Sequence, residues 1–530
     1  MGKIVKLLDC TLRDGGYVND WEFGHDVITS TYKRLESAGV EFIEVGFLDD
    51  RRIQDNNRTI NPSTEAFDDI FLNVDKGTSI PIAMIDFGTC GIENIGLCEN
   101  SFIDGIRIIF KKEKIGQALP FCKKIKEKGY KLFIQAVSIT DYSDAEMLDY
   151  IREINEVGPD TFSIVDTYGL LDRRKLSSYF YLMDRNLNPN IAIGYHGHNN
   201  FQLAFSNSTS FLAFDTKRTL IVDSTVYGMG KSAGNCASEL ISLHMNEKYE
   251  KHYDINQYLE ILDTDLMSIY MKNYWGYKYN YYISAMQNCH PNYVNYLLDK
   301  KTLSISEVNG LLSNIPYEYK LRYDEKIIFN LYFNYQSKMI NDDHDIDRLR
   351  EALTGNNILV LGLGLTLNKD ATALHRFIDD KACKVISLNS KLDEYKCNFI
   401  FMSNAKRYRK LVDGNCKNLP DLILTSNINI IDLEPNYTIN YESLVGYNSH
   451  KNDNSLLLCL ALLIRIGVKR VYLAGVDGFT LSGDDYYEDK YHFSGNEQYR
   501  VKNNESISEG IKELSKNIEC VFLTKSIYEG

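Results

Sequence analysis

Near its start the chain places Arg13 and Asp14 directly behind an apolar run, residues 4–8, and in front of two glycines. Short apolar runs bounded by turn signals read as buried strands, so the pair is expected at the C-terminal tip of a first strand. A guanidinium beside a carboxylate at that place suits holding a metal and an anionic substrate together. It also serves as a plain salt-bridged strand end. A second stretch is His196-Gly197-His198. In a strand, residues i and i+2 face the same way, so both imidazoles can reach one ion, and Gly197 leaves room beside it. Two histidines and one carboxylate leave positions open for water and substrate, as a catalytic divalent metal needs. An HxH also arises from two unrelated histidines, but on a seventh strand, with Asp14 on the first, the pair points to metal. The third stretch, DSTVYGMGKSAGN from Asp223 to Asn235, is dense in glycine. Its backbone N–H groups could cradle a carboxylate or phosphate, or form only a flexible loop. Asn235 either lends an amide oxygen to the metal or caps a helix that starts near Ala237.

The elements that would position these groups alternate between strand-like and helix-like up to about residue 245. Candidate strands cover 4–9, 42–47, 80–85, 105–110, 131–137, 161–166, 191–196 and 219–226, with amphipathic stretches such as 25–38, 115–128 and 144–157 between them. That number and length match a (β/α)8 TIM barrel, an α/β fold whose reactive groups gather at the C-terminal strand ends. A doubly wound open sheet is disfavoured, because no Gly-rich first turn is present. The strand ends carry Arg13, Asp14, Glu44, Asp86, Arg107, Gln135, Asp166, His196 and His198. Charges at so many tips are costly unless they share a site.

The barrel is expected over 1–245, a helical extension over 246–345, and a Rossmann-like α/β domain over 346–530, with the acidic stretch 341–347 as a surface linker. In the extension, Tyr274-Trp275-Gly276-Tyr277 and Cys289-His290-Pro291-Asn292-Tyr293 stand out, and such aromatic stripes usually serve core or interface. In the last domain, strands are expected at 357–361, 384–388, 399–402, 421–424 and 470–474, and a helix at 455–466. Gly362-Leu363-Gly364 follows the first of these strands but lacks the third glycine of a dinucleotide fingerprint, so NAD is weakly supported.

At 530 residues the chain is too long for one core. A net charge of −13 disfavours non-specific nucleic-acid or anionic-membrane binding, which need basic surface. No apolar run approaches the roughly 18 residues of a membrane span, and no signal peptide is apparent. The 11 cysteines are scattered without CxxC spacing, which fits reduced thiols and a cytoplasmic protein.

Five ordered motifs, TLRDGG (11–16), IEVGF (43–47), DTYG (166–169), YHGHNN (195–200) and YGMGKSAGN (227–235), resemble the pyruvate-type metallo-aldolases. The nearest resemblance is to 4-hydroxy-2-oxovalerate aldolase, and a more distant one is to 3-hydroxy-3-methylglutaryl-CoA lyase, isopropylmalate synthase and homocitrate synthase. It covers roughly residues 1–300. It implies a barrel that binds Mn2+ or Mg2+ through Asp14, His196 and His198, with Asn235 as a further candidate ligand. It also implies that Arg13 stabilises an enolate and that Glu44 supports the site from the second strand. The substrates implied are a 2-oxo acid such as pyruvate and an aldehyde. The aldolases use a His shortly after the Arg-Asp pair, where this chain has Gly16 and Tyr17. Tyr17, or a water on the metal, would have to act as base. The Gly-Glu-Gln of the Claisen-type acyl-CoA synthases is missing too, so that branch is the alternative within the enzymes. A non-catalytic scaffold that keeps the barrel is the alternative outside them.

The last domain resembles the nucleotide-binding domains of archaeal 6-hydroxymethylpterin diphosphokinase and of motility-associated glycosylation and sialyltransferase-like proteins. The residues that carry this are GLGLTL (362–367), Ser403-Asn404 and the stretch 454–479. It implies that Gly362, Gly364 and Thr366 approach the phosphate of a nucleotide or nucleotide-sugar. Asp477 would lie at a strand end in the same cleft. Together the two resemblances imply a bifunctional homo-oligomeric enzyme in bacterial surface-glycan synthesis.

Overall fold

The structure is a computed structural model and describes residues 3–136, 138–300, 302–414, 418–447, 449, 452–480 and 497–529. Val137, expected to end the fifth strand, lies outside the described residues. The chain forms two compact units, Met1–Pro291 and Asn292–Gly530.

In the first unit eight parallel strands close into a TIM barrel: β1 (Val5–Asp9), β2 (Phe42–Leu48), β3 (Ile80–Asp86), β4 (Gly105–Phe110), β5 (Lys131–Ala136), β6 (Thr161–Asp166), β7 (Ala192–Gly197) and β8 (Leu220–Ser224). Each pairs with its neighbour in sequence, and β1 closes the ring on both β2 and β8. The two-residue strand Ile60–Asn61 adds to β2. These strands read as continuous apolar runs because helices such as His25–Ser37, Ile115–Glu127 and Asp144–Val157 cover their outer faces.

The barrel interior is layered. Leu8, Cys10, Phe42, Ile82, Phe133 and Ile221 pack together, with the rings of Phe42 and Phe133 edge to face at 5.4 Å. Two residues further along the same strands, facing the same side, stand Glu44, Gln135 and Asp223. An apolar plug therefore gives way to a polar layer toward the C-terminal mouth. The register of β2 against β3 shifts between Glu44 and Gly46, and a Cβ on Gly46 would lie 2.0 Å from the Thr59 carbonyl oxygen.

The second unit is a Rossmann-like seven-stranded parallel sheet: β9 (Ile358–Leu361), β10 (Lys384–Leu388), β11 (Phe399–Met402), β12 (Asp421–Thr425), β13 (Tyr437–Ile439), β14 (Arg470–Ala474) and β15 (Glu519–Phe522). Their order is β13-β12-β11-β10-β9-β14-β15, which puts the topological switch between β9 and β14. Strands β13 and β15 lie outside the expected set, since three or four residues hold too little of the period-2 pattern. The expected linker 341–347 is instead the start of a helix, Asp343–Leu353. Its acids favour a helix N-terminus, Ile346, Leu349 and Leu353 bury one face, and Asp342 is buried on Arg465 at 2.5 and 2.7 Å.

A test of the bulge follows. Gly46→Ala should destabilise the barrel by about 1–3 kcal/mol, the usual range for overpacking, because the methyl meets backbone that cannot rotate away. Thermal unfolding checks it, and an unchanged midpoint would mean that the bulge is not tight.

Candidate active site

Arg13 and Asp14 lie one short helical turn, Thr11–Asp14, beyond the end of β1, and both are buried. A continuous chain of buried charges starts from them. Arg13 Nη1 donates to Asp14 Oδ1 at 2.5 Å, and Arg13 Nε donates to Glu44 Oε2 at 2.7 Å. Glu44 Oε1 is 3.4 Å from Arg107 Nε, and Arg107 Nη1 and Nη2 donate to Asp223 at 2.7 and 3.3 Å. Asp223 Oδ2 lies 3.0 Å from His196 Nδ1. Burial opposes ionisation of Asp223, but Arg107 and His196 hold it below the usual carboxylate range. An ionised Asp223 beside Nδ1 orients the His196 imidazole, as a carboxylate partner of a ligating histidine does.

Among the described residues, two groups of side chains have the spacing for an ion: Cys10, His196 and Asp223, and Asp14, His196 and His198, each set offering ligand atoms within 4.8 Å of one another. The first set is committed elsewhere. Burial raises the Cys10 thiol well above its ordinary value, its Sγ faces the Ser224 carbonyl oxygen at 3.2 Å, and Asp223 is taken by Arg107. The second set fits a divalent metal. Burial alone would raise Asp14, but Arg13, His198 and His196 hold it well below the usual range. Burial brings His198 down to about 3, so its imidazole is neutral, as a ligand must be. Among the buried polar atoms of the described residues that lack a hydrogen-bond partner are Arg13 Nη2, His198 Nδ1 and Asn235 Oδ1. The guanidiniums of Arg13 and Arg107 face the carboxylates of Asp14, Glu44 and Asp223, and the Lys231 ammonium also interacts with Asp14.

Asn235 does not cap a helix. Helix Ser238–Tyr249 starts from Ala237 with no side-chain cap, and Asn235 Nδ2 donates instead to Asp14 Oδ2 at 2.5 Å. That close approach requires Gly230, where a Cβ would lie 2.4 Å from Asn235 Nδ2 and 2.5 Å from Asp14 Oδ2. The N–H groups of Gly228, Met229, Lys231, Gly234 and Asn235 bond within the loop or to Asp14, so they form no anion cradle. Tyr17 stacks edge to face on Trp21 at 4.7 Å and lies beneath Lys231 Nζ at 5.2 Å from its ring. Burial pushes its phenol up to about 12, so at neutral pH it can donate a proton but not accept one. The two oxygens of Asp166 accept the backbone N–H of Leu170 and Leu171. Asp86 is exposed. Arg107, noted in the sequence only among the charged strand ends, and Asp223, noted only as the start of the glycine-dense stretch, are positioning residues to which motif reading gave no role. Their signal is a charge inside an otherwise apolar strand, which must find a partner across the barrel.

In the second unit, Gly362, Gly364, Thr366 and Asp477 meet at the switch point. Asp477 Oδ2 accepts the Thr366 N–H at 2.8 Å, and its other oxygen accepts the Thr366 hydroxyl. A Cβ on Gly364 would lie 2.3 Å from Asp477 Cγ, and one on Gly362 would lie 2.2 Å from the Gly475 carbonyl oxygen. The glycines therefore admit a carboxylate and backbone, and Asp477 stands where a phosphate at the Thr366 N–H would stand.

A family profile described as HMGL-like matches residues 109–264. Oxaloacetate decarboxylase of Mycobacterium tuberculosis is 23% identical over 274 residues, 49% of this chain and 76% of that protein. 4-Hydroxy-2-oxovalerate aldolase of Pseudoalteromonas translucida is 22% identical over 270 residues, 50% and 77% of the two chains. 2-Isopropylmalate synthase of Methanocaldococcus jannaschii is 24% identical over 268 residues, 48% and 49% of the two. A solved hydroxymethylglutaryl-CoA lyase from Pseudomonas aeruginosa, 16% identical, covers 51% of this chain and 94% of its own with a TM-score of 0.42. Part of the barrel, residues 109–264, is thus similar to the HMGL-like family, and the relatives it resembles are named as an aldolase, a decarboxylase and a 2-isopropylmalate synthase.

Two substitutions test the metal centre. His196→Ala should abolish stoichiometric Mn2+ in the purified protein. Asp223→Asn should weaken Mn2+ affinity about 10–100-fold, as loss of a partner that orients a ligating imidazole does. Titration with Mn2+ reads both, and unchanged occupancy in His196→Ala would place the ion elsewhere.

Proposed function

We propose that the barrel is a divalent-metal-dependent carbon–carbon lyase, acting on a 2-oxo acid such as pyruvate and an aldehyde in either direction. The observation that carries this reading is the Arg13 Nη2 atom, buried and without a partner beside Asp14, His196 and His198. Mn2+ or Mg2+ held by these three side chains, with Asn235 Oδ1 as a fourth donor, would polarise the ketone of a 2-oxo acid. Arg13 would donate from Nη2 to the oxygen that becomes negative as the carbon–carbon bond breaks. Glu44 fixes the guanidinium through Nε and Asp14 through Nη1, so Nη2 keeps one direction. Tyr17 serves as a proton donor at the rim. Relatives named as an aldolase and a decarboxylase, both acting on 2-oxo acids by their names, are consistent with this chemistry.

The test is activity of the Mn2+-loaded chain with pyruvate and a panel of sugar aldehydes. Arg13→Ala should leave the ion bound and lower the rate on the order of 100-fold, about 3 kcal/mol for a lost charge-stabilising donor. Arg13→Lys should recover only part, since a point charge cannot hold Glu44, Asp14 and substrate at once. Wild-type rates in Arg13→Ala would remove the residue from the mechanism.

For the second unit, the cleft favours a nucleotide or nucleotide-sugar held through hydroxyl groups, with Asp477 as acceptor, rather than through a phosphate on Thr366. A leucine at Gly364 would displace Asp477, so Gly364→Leu should block binding and leave barrel activity intact. Calorimetric titration of the whole chain with CMP, UDP, GDP, ATP and NAD checks this. Silence from all five would return the unit to a structural role.

A further inference from the structure

Within the first unit, the segment after the barrel is seated across the loops at the C-terminal strand ends by contacts that include the following. Trp275 Nε1 donates to the Tyr227 carbonyl oxygen, just past β8, at 3.0 Å. Tyr282 packs edge to face on Phe201, past β7, with ring centres 5.8 Å apart. His290 packs edge to face on Tyr168, past β6, at 5.7 Å. The segment thus carries an imidazole to the same face of the barrel as Arg13 and Asp14. His290 is half-buried there. Burial, and then the charges of Lys231 past β8 and Lys111 past β4, bring it down to about 4, so it is neutral at physiological pH.

The turn after β1 offers no base of its own. A Cβ on Gly16 would lie 2.0 Å from the Trp21 ring, whose Nε1 donates to the Arg13 carbonyl oxygen at 2.8 Å. Indole fills the space that a side chain there would need. Tyr17 is protonated, and both oxygens of Asp166 are occupied. Resting on the enolate reading of the barrel, we infer that His290 is the proton-transfer residue of this site, delivered from the post-barrel segment. It takes the C3 proton of a bound 2-oxo acid such as pyruvate. The C3–H electron pair becomes the C2–C3 double bond, the ketone pair moves onto oxygen beside Arg13 Nη2, and the proton rests on the imidazole. When C3 attacks an aldehyde, the imidazolium returns that proton to the new alkoxide, and the cycle balances.

The test compares two reactions of the Mn2+-loaded full chain. Deuterium uptake into the methyl group of pyruvate in D2O, read by mass spectrometry, needs a base. Decarboxylation of oxaloacetate yields the same enolate as CO2 leaves, with no C–H bond broken. His290→Ala and His290→Phe, the second keeping a ring against Tyr168, should each lower the ratio of exchange to decarboxylation about 100-fold. Exchange that survives in both variants overturns the inference. So does a parallel loss of both reactions or of bound Mn2+, which would make His290 structural. Decarboxylation without exchange in the wild type also overturns it. If the wild type performs neither reaction, the enolate reading of Asp14, His196 and His198 is what fails, and the role of His290 falls with it.

Discussion

The line of buried charges from Asp14 through Arg13, Glu44, Arg107 and Asp223 to His196 is the constraint on which the barrel mouth depends. It links the turn after β1 to strands β2, β4, β8 and β7, and so ties sites distant in sequence into one rigid layer. Breaking a buried pair leaves a charge without its partner, which typically destabilises by about 3–5 kcal/mol. Each member therefore fixes the next: Glu44 aims the guanidinium of Arg13, and Asp223 orients the imidazole of His196. The apolar plug of Phe42, Phe133 and Ile221 beneath this layer keeps water out from below, which strengthens every interaction above it.

Small residues let the layer close. Gly230 admits the Asn235 amide to Asp14, and Gly16 admits the indole of Trp21 against the Arg13 backbone. The second of these explains how the site departs from the aldolases that its motifs resemble. The position after the Arg-Asp pair is packed by an aromatic ring rather than left for a base.

The second unit applies the same logic to a different end. Its switch-point cleft has the glycines and helix start that suit a phosphate, yet Asp477 already satisfies the Thr366 N–H. A fixed carboxylate and a phosphate cannot share one donor set without strong repulsion.

Much of the first unit was legible in the sequence. Eight apolar runs at regular spacing determine the barrel, and the spacing of His196 and His198 on one strand determines that they face one way. Asp14 joins them because β1 and β7 both flank β8. The sequence did not determine which of the charged strand ends share a site. Asp166 and Asp86 read like Glu44, but both oxygens of Asp166 are taken by its own loop and Asp86 is exposed, and only three-dimensional packing separates them. The fate of Asn235 was likewise open between cap and ligand until the loop placed its amide on Asp14. The acidic stretch near residue 342 read as a linker because its charges outweigh its few apolar residues. The partners that make it a helix start, Arg465 and the buried faces of Ile346, Leu349 and Leu353, come from elsewhere in the unit. Local pattern sets strands, helices and the direction of side chains, whereas the choice among identical charges is made by long-range contacts, because the desolvation of a buried ion depends on what crosses the barrel to meet it.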